Sequence, residues 1–138
     1  MAFLALSLIS DGSAIAAPGP APHGLIYSSL CTEAESGDAA GYQIVLDEFA
    51  PHPSVSFDWG EGGLMAPVRA SDVSYDRRSG AVRFNANANG RAVQFRGRIS
   101  GARLAGTLTW IDNPGDAPRI ERVELRRVRR LDLQPPCR

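Results

Sequence analysis

Three groups of side chains in this sequence have the types and spacing for chemistry. Glu33, Glu35 and Asp38 crowd one short stretch. Carboxylate oxygens at that density are what a calcium ion takes, but the loop spacing of an EF-hand is absent, so a solvated acidic loop is expected. Asp58 and Glu61 form a second carboxylate pair. Acid–base work needs two such groups in contrasting surroundings, and nothing nearby supplies the contrast. His23 lies in a Pro-rich stretch and His52 between two prolines, so both read as loop residues rather than bases. Cys31 and Cys137 lack the paired spacing of a zinc site. The sequence therefore assigns no catalytic residue, no metal ligand and no cofactor.

The third group is arginine. The chain has 15 arginines and no lysine, which excludes Schiff-base chemistry. Net charge is zero, but it is segregated. Gly24 to Asp76 carries −8, and Arg77 to Arg138 carries +9. Such a bipolar body can orient association with charged surfaces, unless its opposed walls neutralise each other. Arg122, Arg126, Arg127, Arg129 and Arg130 form the densest cluster. No aromatic residues interleave with it for base stacking, so nucleic acid is not expected as a partner. An anionic envelope component is the better match, beside the plainer reading of an Arg-rich outer strand face.

The elements that must position these groups follow from apolar alternation. "AVRFNA" puts Val82, Phe84 and Ala86 on one face, "VQFRGRI" puts Val93, Phe95, Gly97 and Ile99 there, and "LAGTLTW" adds Leu104, Gly106, Leu108 and Trp110. Asn89-Gly90 between the first two suits a type I′ turn, and Gly101-Ala102 between the last two suits type II′. Those turns pair Phe84 with Phe95, Gly97 with Gly106 and Val93 with Trp110. Every apolar residue then shares one face, so turn chemistry and register agree. Upstream, Val55, Phe57 and Trp59 alternate in one strand, Tyr42, Ile44 and Leu46 in another, and Val73 and Tyr75 in a third. "GLIYSSLC" reads as the first strand. The final segment, with Ile120, Val123, Leu125, Val128 and Leu131, suits either a strand or an amphipathic helix, with strand favoured.

About eight short antiparallel strands result, with no room for crossover helices. The fold class is all-β: an up-and-down meander of about eight strands closing into a lipocalin-like barrel, with a β-sandwich as the alternative. One domain spans residues 24–138. Residues 1–17 read as a secretory signal, an apolar run "MAFLALSLI" followed by Ala14-Ile15-Ala16, and 18–23 as a Pro-rich linker. An apolar run of nine residues is too short to span a bilayer. Two cysteines in an exported chain imply one disulfide, Cys31 to Cys137, and a periplasmic or secreted location.

Gly97 and Gly106 leave a core-facing position empty on two neighbouring strands. Either they make a corner or room for a bulky neighbour such as Trp59, or they line a cavity. Three further stretches carry a resemblance: Glu35-Ser36-Gly37-Asp38 with Gly41, Glu61-Gly62-Gly63-Leu64 with Pro67, and Phe95-x-Gly97-x-Ile99 through Leu104-x-Gly106. Together they resemble small, uncharacterised exported bacterial β proteins of lipocalin-like shape, across most of the chain after Gly24. The resemblance implies a barrel and no known reaction.

The functional expectation is non-enzymatic binding of a small apolar ligand or lipid in the barrel. Trp59, Phe84, Phe95, Gly97, Gly106, Leu108 and Trp110 are the expected contacts. The alternative is an interaction or inhibitor-type envelope module that uses loop tips and charged walls. Glu61, followed by Gly62-Gly63, is expected at the rim of a barrel mouth.

Overall fold

The computed structural model describes residues 24–49, 51–129 and 135–138. The expected signal segment and linker, together with His23, Arg130 and Leu131, lie outside these. Among the described residues there is no helix. Ten strands are present: β1 Leu25–Ser28, β2 Cys31–Thr32, β3 Ala39–Asp47, β4 Ser54–Leu64, β5 Val68–Arg69, β6 Ser71–Tyr75, β7 Ala81–Ala88, β8 Arg91–Ser100, β9 Arg103–Ile111 and β10 Arg119–Val128.

The ladders run β5-β4-β3-β1-β10-β9-β8-β7-β6, all antiparallel, with β2 paired to β3 at the side. The two ends of this order, β5 and β6, are neighbours in sequence, joined through Ala70. The sheet therefore curls almost fully round on itself as a nearly closed barrel. Closure leaves few unpaired edges to recruit another chain. The last element, which a helix also suited, is strand β10.

The β7–β8–β9 meander has the register that its turns dictate. Asn89 and Gly90 both take positive φ, 54° and 86°, as a type I′ turn requires. Phe84 stands opposite Phe95, Gly97 opposite Gly106, and Val93 opposite Trp110. The inward faces of these strands meet Tyr27, Ile44, Leu46, Val55, Phe57, Trp59 and Leu125 in one core. Aromatic rings dominate it. Phe57 stacks on Trp59 at 5.7 Å between centroids, and Phe84 on Phe95 at 5.1 Å. Such pairs add roughly 0.5–1.5 kcal/mol beyond simple burial.

The glycine pair gives room to a neighbour. A methyl group at Gly97 would lie 2.5 Å from Cζ of Phe95, and one at Gly106 2.9 Å from the same atom. The ring of Phe95 occupies the space that two side chains would need. A disulfide joins Cys31 to Cys137, as two cysteines in this chain implied. It holds the tail where Pro136 bridges Thr32 in parallel.

Candidate functional site

One end of the barrel is built differently from the rest. β1 stops at Ser28, level with Gln43 of β3 and Arg126 of β10. The chain bulges at Ser29-Leu30, the Ser29 N–H donating to the Tyr42 carbonyl at 2.8 Å, and continues along the same side of β3 as β2, since β4 fills the other side. Beyond Ser28 the strand beside β3 is β2, which makes no ladder with β10 among the described residues, so the pairing of this layer to β10 stops at Arg126. Side chains join β3 to β10 past that point. The Tyr42 hydroxyl donates to Oε2 of Glu121 at 2.6 Å, linking β3 to β10. Arg119 Nη1 approaches the same oxygen at 3.4 Å.

Glu61, Arg91, Trp59 and Trp110 complete this mouth. Arg91 grips Glu61 across the opening with both terminal nitrogens, Nη1 to Oε1 at 3.3 Å and Nη2 to Oε2 at 2.5 Å. It also lies 3.9 Å from Asp112. The Arg91 guanidinium carbon is 4.7 Å from the Trp110 ring centroid, and that of Arg119 is 5.3 Å away. A cation over an indole is worth about 0.5–1 kcal/mol when exposed and up to about 2 when desolvated. Trp59 meets Trp110 edge-on at 6.5 Å.

Tyr42, Trp59, Gly60, Glu61, Arg91, Trp110 and Arg119 line a depression of about 140 Å³. Both indoles are buried, each only 2% exposed. Among the described residues the buried Nε1 of Trp110 has no hydrogen-bond partner, and that of Trp59 has none of good geometry, its N–H reaching only weakly toward the Glu61 carboxylate. A buried donor left unmet costs about 1–3 kcal/mol.

The titratable groups here rest firmly in one state. Burial, then the hydrogen bond to Glu121 and its charge, push the Tyr42 phenol far above its ordinary value. The Arg91 hydrogen bond holds Glu61 below the usual carboxylate range, with smaller help from the Trp59 indole and Arg119. Tyr42 stays protonated and Glu61 ionised. Neither is poised to exchange a proton near neutrality.

No family model, curated protein or solved structure matches this chain.

Of the expected contact residues, the structure puts Trp59 and Trp110 at the mouth. Phe84, Phe95 and Leu108 lie buried in the core beneath, with the Gly97–Gly106 pair filled by Phe95. Phe84 and Phe95 also border a second depression, of about 260 Å³, on the outer wall with Asp72, Arg83, Asn85, Gln94 and Arg96. A third, of about 450 Å³, lies beside the disulfide between the tail and β10. Asp58 and Glu61 are not brought together. Three positions apart on a strand, they face opposite sides. Asp58 is buried, its Oδ1 accepting the Trp59 backbone N–H at 2.8 Å. His52 is exposed, as are Glu33, Glu35 and Asp38. Among the described residues no cluster of three or more His, Cys, Asp or Glu is placed to hold a metal ion.

Tyr42, Arg91 and Arg119 were not singled out as site residues. The signal for Arg119 is its phase. It shares the inward side of β10 with Glu121, Val123 and Leu125, a side otherwise reserved for apolar groups. A charged residue in the inward phase near a strand end marks a mouth.

Proposed function

We propose that this protein is a non-enzymatic binding barrel whose ligand docks at the mouth, on the Trp59–Trp110 pair. The observation that carries the reading is the buried Trp110 indole N–H without an acceptor, beside a Trp59 N–H that only the Glu61 carboxylate approaches, beneath a lined depression. A ligand acceptor placed there removes a cost that the empty fold bears. The ligand is small, flat and largely apolar, with a neutral acceptor such as a carbonyl oxygen. Neutrality follows from the surroundings: Arg91 and Arg119 each already hold a carboxylate. The size follows from the volume, which is well below the roughly 300–1,000 Å³ of a drug-sized pocket. It suits one ring, or the end of a longer lipid.

Export to the periplasm or beyond belongs to the same reading. The Cys31–Cys137 disulfide supports it, because such bonds persist in oxidising compartments. No described helix is long and apolar enough to cross a membrane.

The test is tryptophan emission titrated with small carbonyl-bearing aromatics and short lipids, checked by native mass spectrometry. A saturable shift is expected with wild type and a weaker one with Trp110→Phe, which keeps a ring and removes the donor. No saturable shift and no adduct across the panel would overturn the reading.

A further inference from the structure

The outer wall formed by β7–β10 goes beyond this reading. Register places Arg83 opposite Arg96, Arg96 opposite Thr107, and Thr107 opposite Arg122. These side chains stand in one row across four strands. Alternation puts Arg98, Arg103 and Arg126 on the same outward side. All six arginines are exposed. Like charges directly opposite on neighbouring strands oppose pairing, so folding alone gives no reason to set Arg83 against Arg96. Neutralisation by acidic neighbours, the plainer expectation for this half of the chain, is almost absent here. Glu124 pairs with Arg103 at 3.3 Å, Asp72 at the wall's edge accepts from Asn85, and Asp76 feels the charge of Arg98 without an ion-pair contact. Arg83, Arg96, Arg98, Arg122 and Arg126 form no ion pair with any described residue.

We infer that this wall docks on an anionic lipid bilayer surface, its unpaired arginines taking headgroup phosphates. The charges spread in two dimensions. Arg83 to Arg122 crosses three strand spacings, about 14 Å, and the remaining rows extend along the strands. A planar field of anions matches that spread, whereas a single polyanionic strand matches a stripe. Among the other outward side chains Asn85, Gln94, Thr107 and Thr109 are polar, while Ala92, Ala105 and the exposed Ile120 are apolar, and none offers a ring for base stacking. Guanidinium groups meet phosphate oxygens with two parallel hydrogen bonds. Net charge is zero, so attraction to such a surface has to come from this segregated wall.

The experiment is co-sedimentation of the full chain with vesicles of phosphatidylcholine alone and of phosphatidylcholine with phosphatidylglycerol. Binding is expected only to the anionic vesicles, and it should vanish at about 0.5 M salt, where charges are screened within about 5 Å. Arg83→Gln with Arg96→Gln should weaken it by roughly fivefold per arginine, about 25-fold in all. Arg69→Gln with Arg77→Gln, on β5 and beside Glu48, removes the same charge away from the wall and should change binding less than about twofold. Circular dichroism confirms that both variants fold. Equal weakening by the two variants would overturn the assignment to this wall. Binding to a single-stranded oligonucleotide but not to anionic vesicles would overturn the lipid partner, and salt-independent or absent binding would overturn the whole inference.

Discussion

Gly97 and Gly106 face each other across β8 and β9, and the Phe95 ring lies against both. Neither glycine has a positive φ, so what each supplies is space. Gly97→Ala puts a methyl 2.5 Å from Cζ of Phe95 and 2.7 Å from the Ala105 carbonyl oxygen. Overpacking of this kind costs about 1–3 kcal/mol. Urea unfolding should show that loss, and Phe95→Leu should partly relieve it in the double variant. A glycine-to-alanine variant as stable as wild type would mean that the ring is not wedged there.

The tail is held by Cys137 and one bridge between Thr32 and Pro136. The disulfide closes 106 residues of sequence separation. Loops of about 100 residues gain up to about 4.7 kcal/mol in the chain-entropy treatment, and removal of native bonds usually costs about 2–5. Cys31→Ser with Cys137→Ser should lower the urea midpoint accordingly, while far-ultraviolet dichroism keeps its β signature. Reductant should reproduce the effect in wild type and do nothing to the double variant.

The meander was legible because its registers are set locally. Two-residue turns at Asn89-Gly90 and Gly101-Ala102 fix every pairing from Val82 to Trp110, and the alternation has to agree with them. β10 was ambiguous for a physical reason. Ile120 is 67% exposed and lies out of phase with Val123 and Leu125, so its apolar run also fits a helical stripe. The mouth was less legible still. Glu61 comes from β4, Arg91 from β8 and Arg119 from β10, and Tyr42 meets Glu121 across 79 residues of chain. Contacts of that range arise only from closure, and no local pattern announces them. The bulge at Ser29-Leu30, past which β10 has no ladder partner on that side, has no sequence mark either.

Asp58 is 7% exposed on β4, and burial raises its carboxyl above the ordinary value, opposed in part by the Trp59 backbone hydrogen bond. A raised acid binds protons more readily folded than unfolded. Its contribution to stability is whole below the unfolded pKa and is lost as pH rises through the folded one. Asp58→Asn keeps an acceptor for the Trp59 N–H and removes the buried charge. Its Tm should exceed that of wild type at pH 7, and the two should converge below about pH 3.8, where both side chains are neutral. A variant less stable than wild type at neutral pH would mean that the carboxylate has a partner it depends on.

Tyr42 gives the opposite end of the pH scale. Its phenol donates to Glu121 at 2.6 Å and is pushed up chiefly by burial, then by that carboxylate. The folded pKa exceeds the unfolded one, so the stabilisation is complete below the ordinary phenol value of about 10 and drains away as pH climbs beyond it. Wild type should therefore lose stability steeply above about pH 10, measured as urea midpoints across a pH series. Tyr42→Phe should be less stable at pH 7 by about 1 kcal/mol, the worth of one hydrogen bond to a partly exposed acceptor. Its decline above pH 10 should be shallower, since Tyr27, whose phenol burial also raises, is then the principal shifted tyrosine. The same variant should let β3 and β10 part at the mouth, seen as faster amide exchange near Arg119 and Glu121 than at Leu104 and Leu125. Unchanged exchange there would show that β3 is held to β10 by the ring contact of Tyr42 with Trp110 rather than by its hydroxyl.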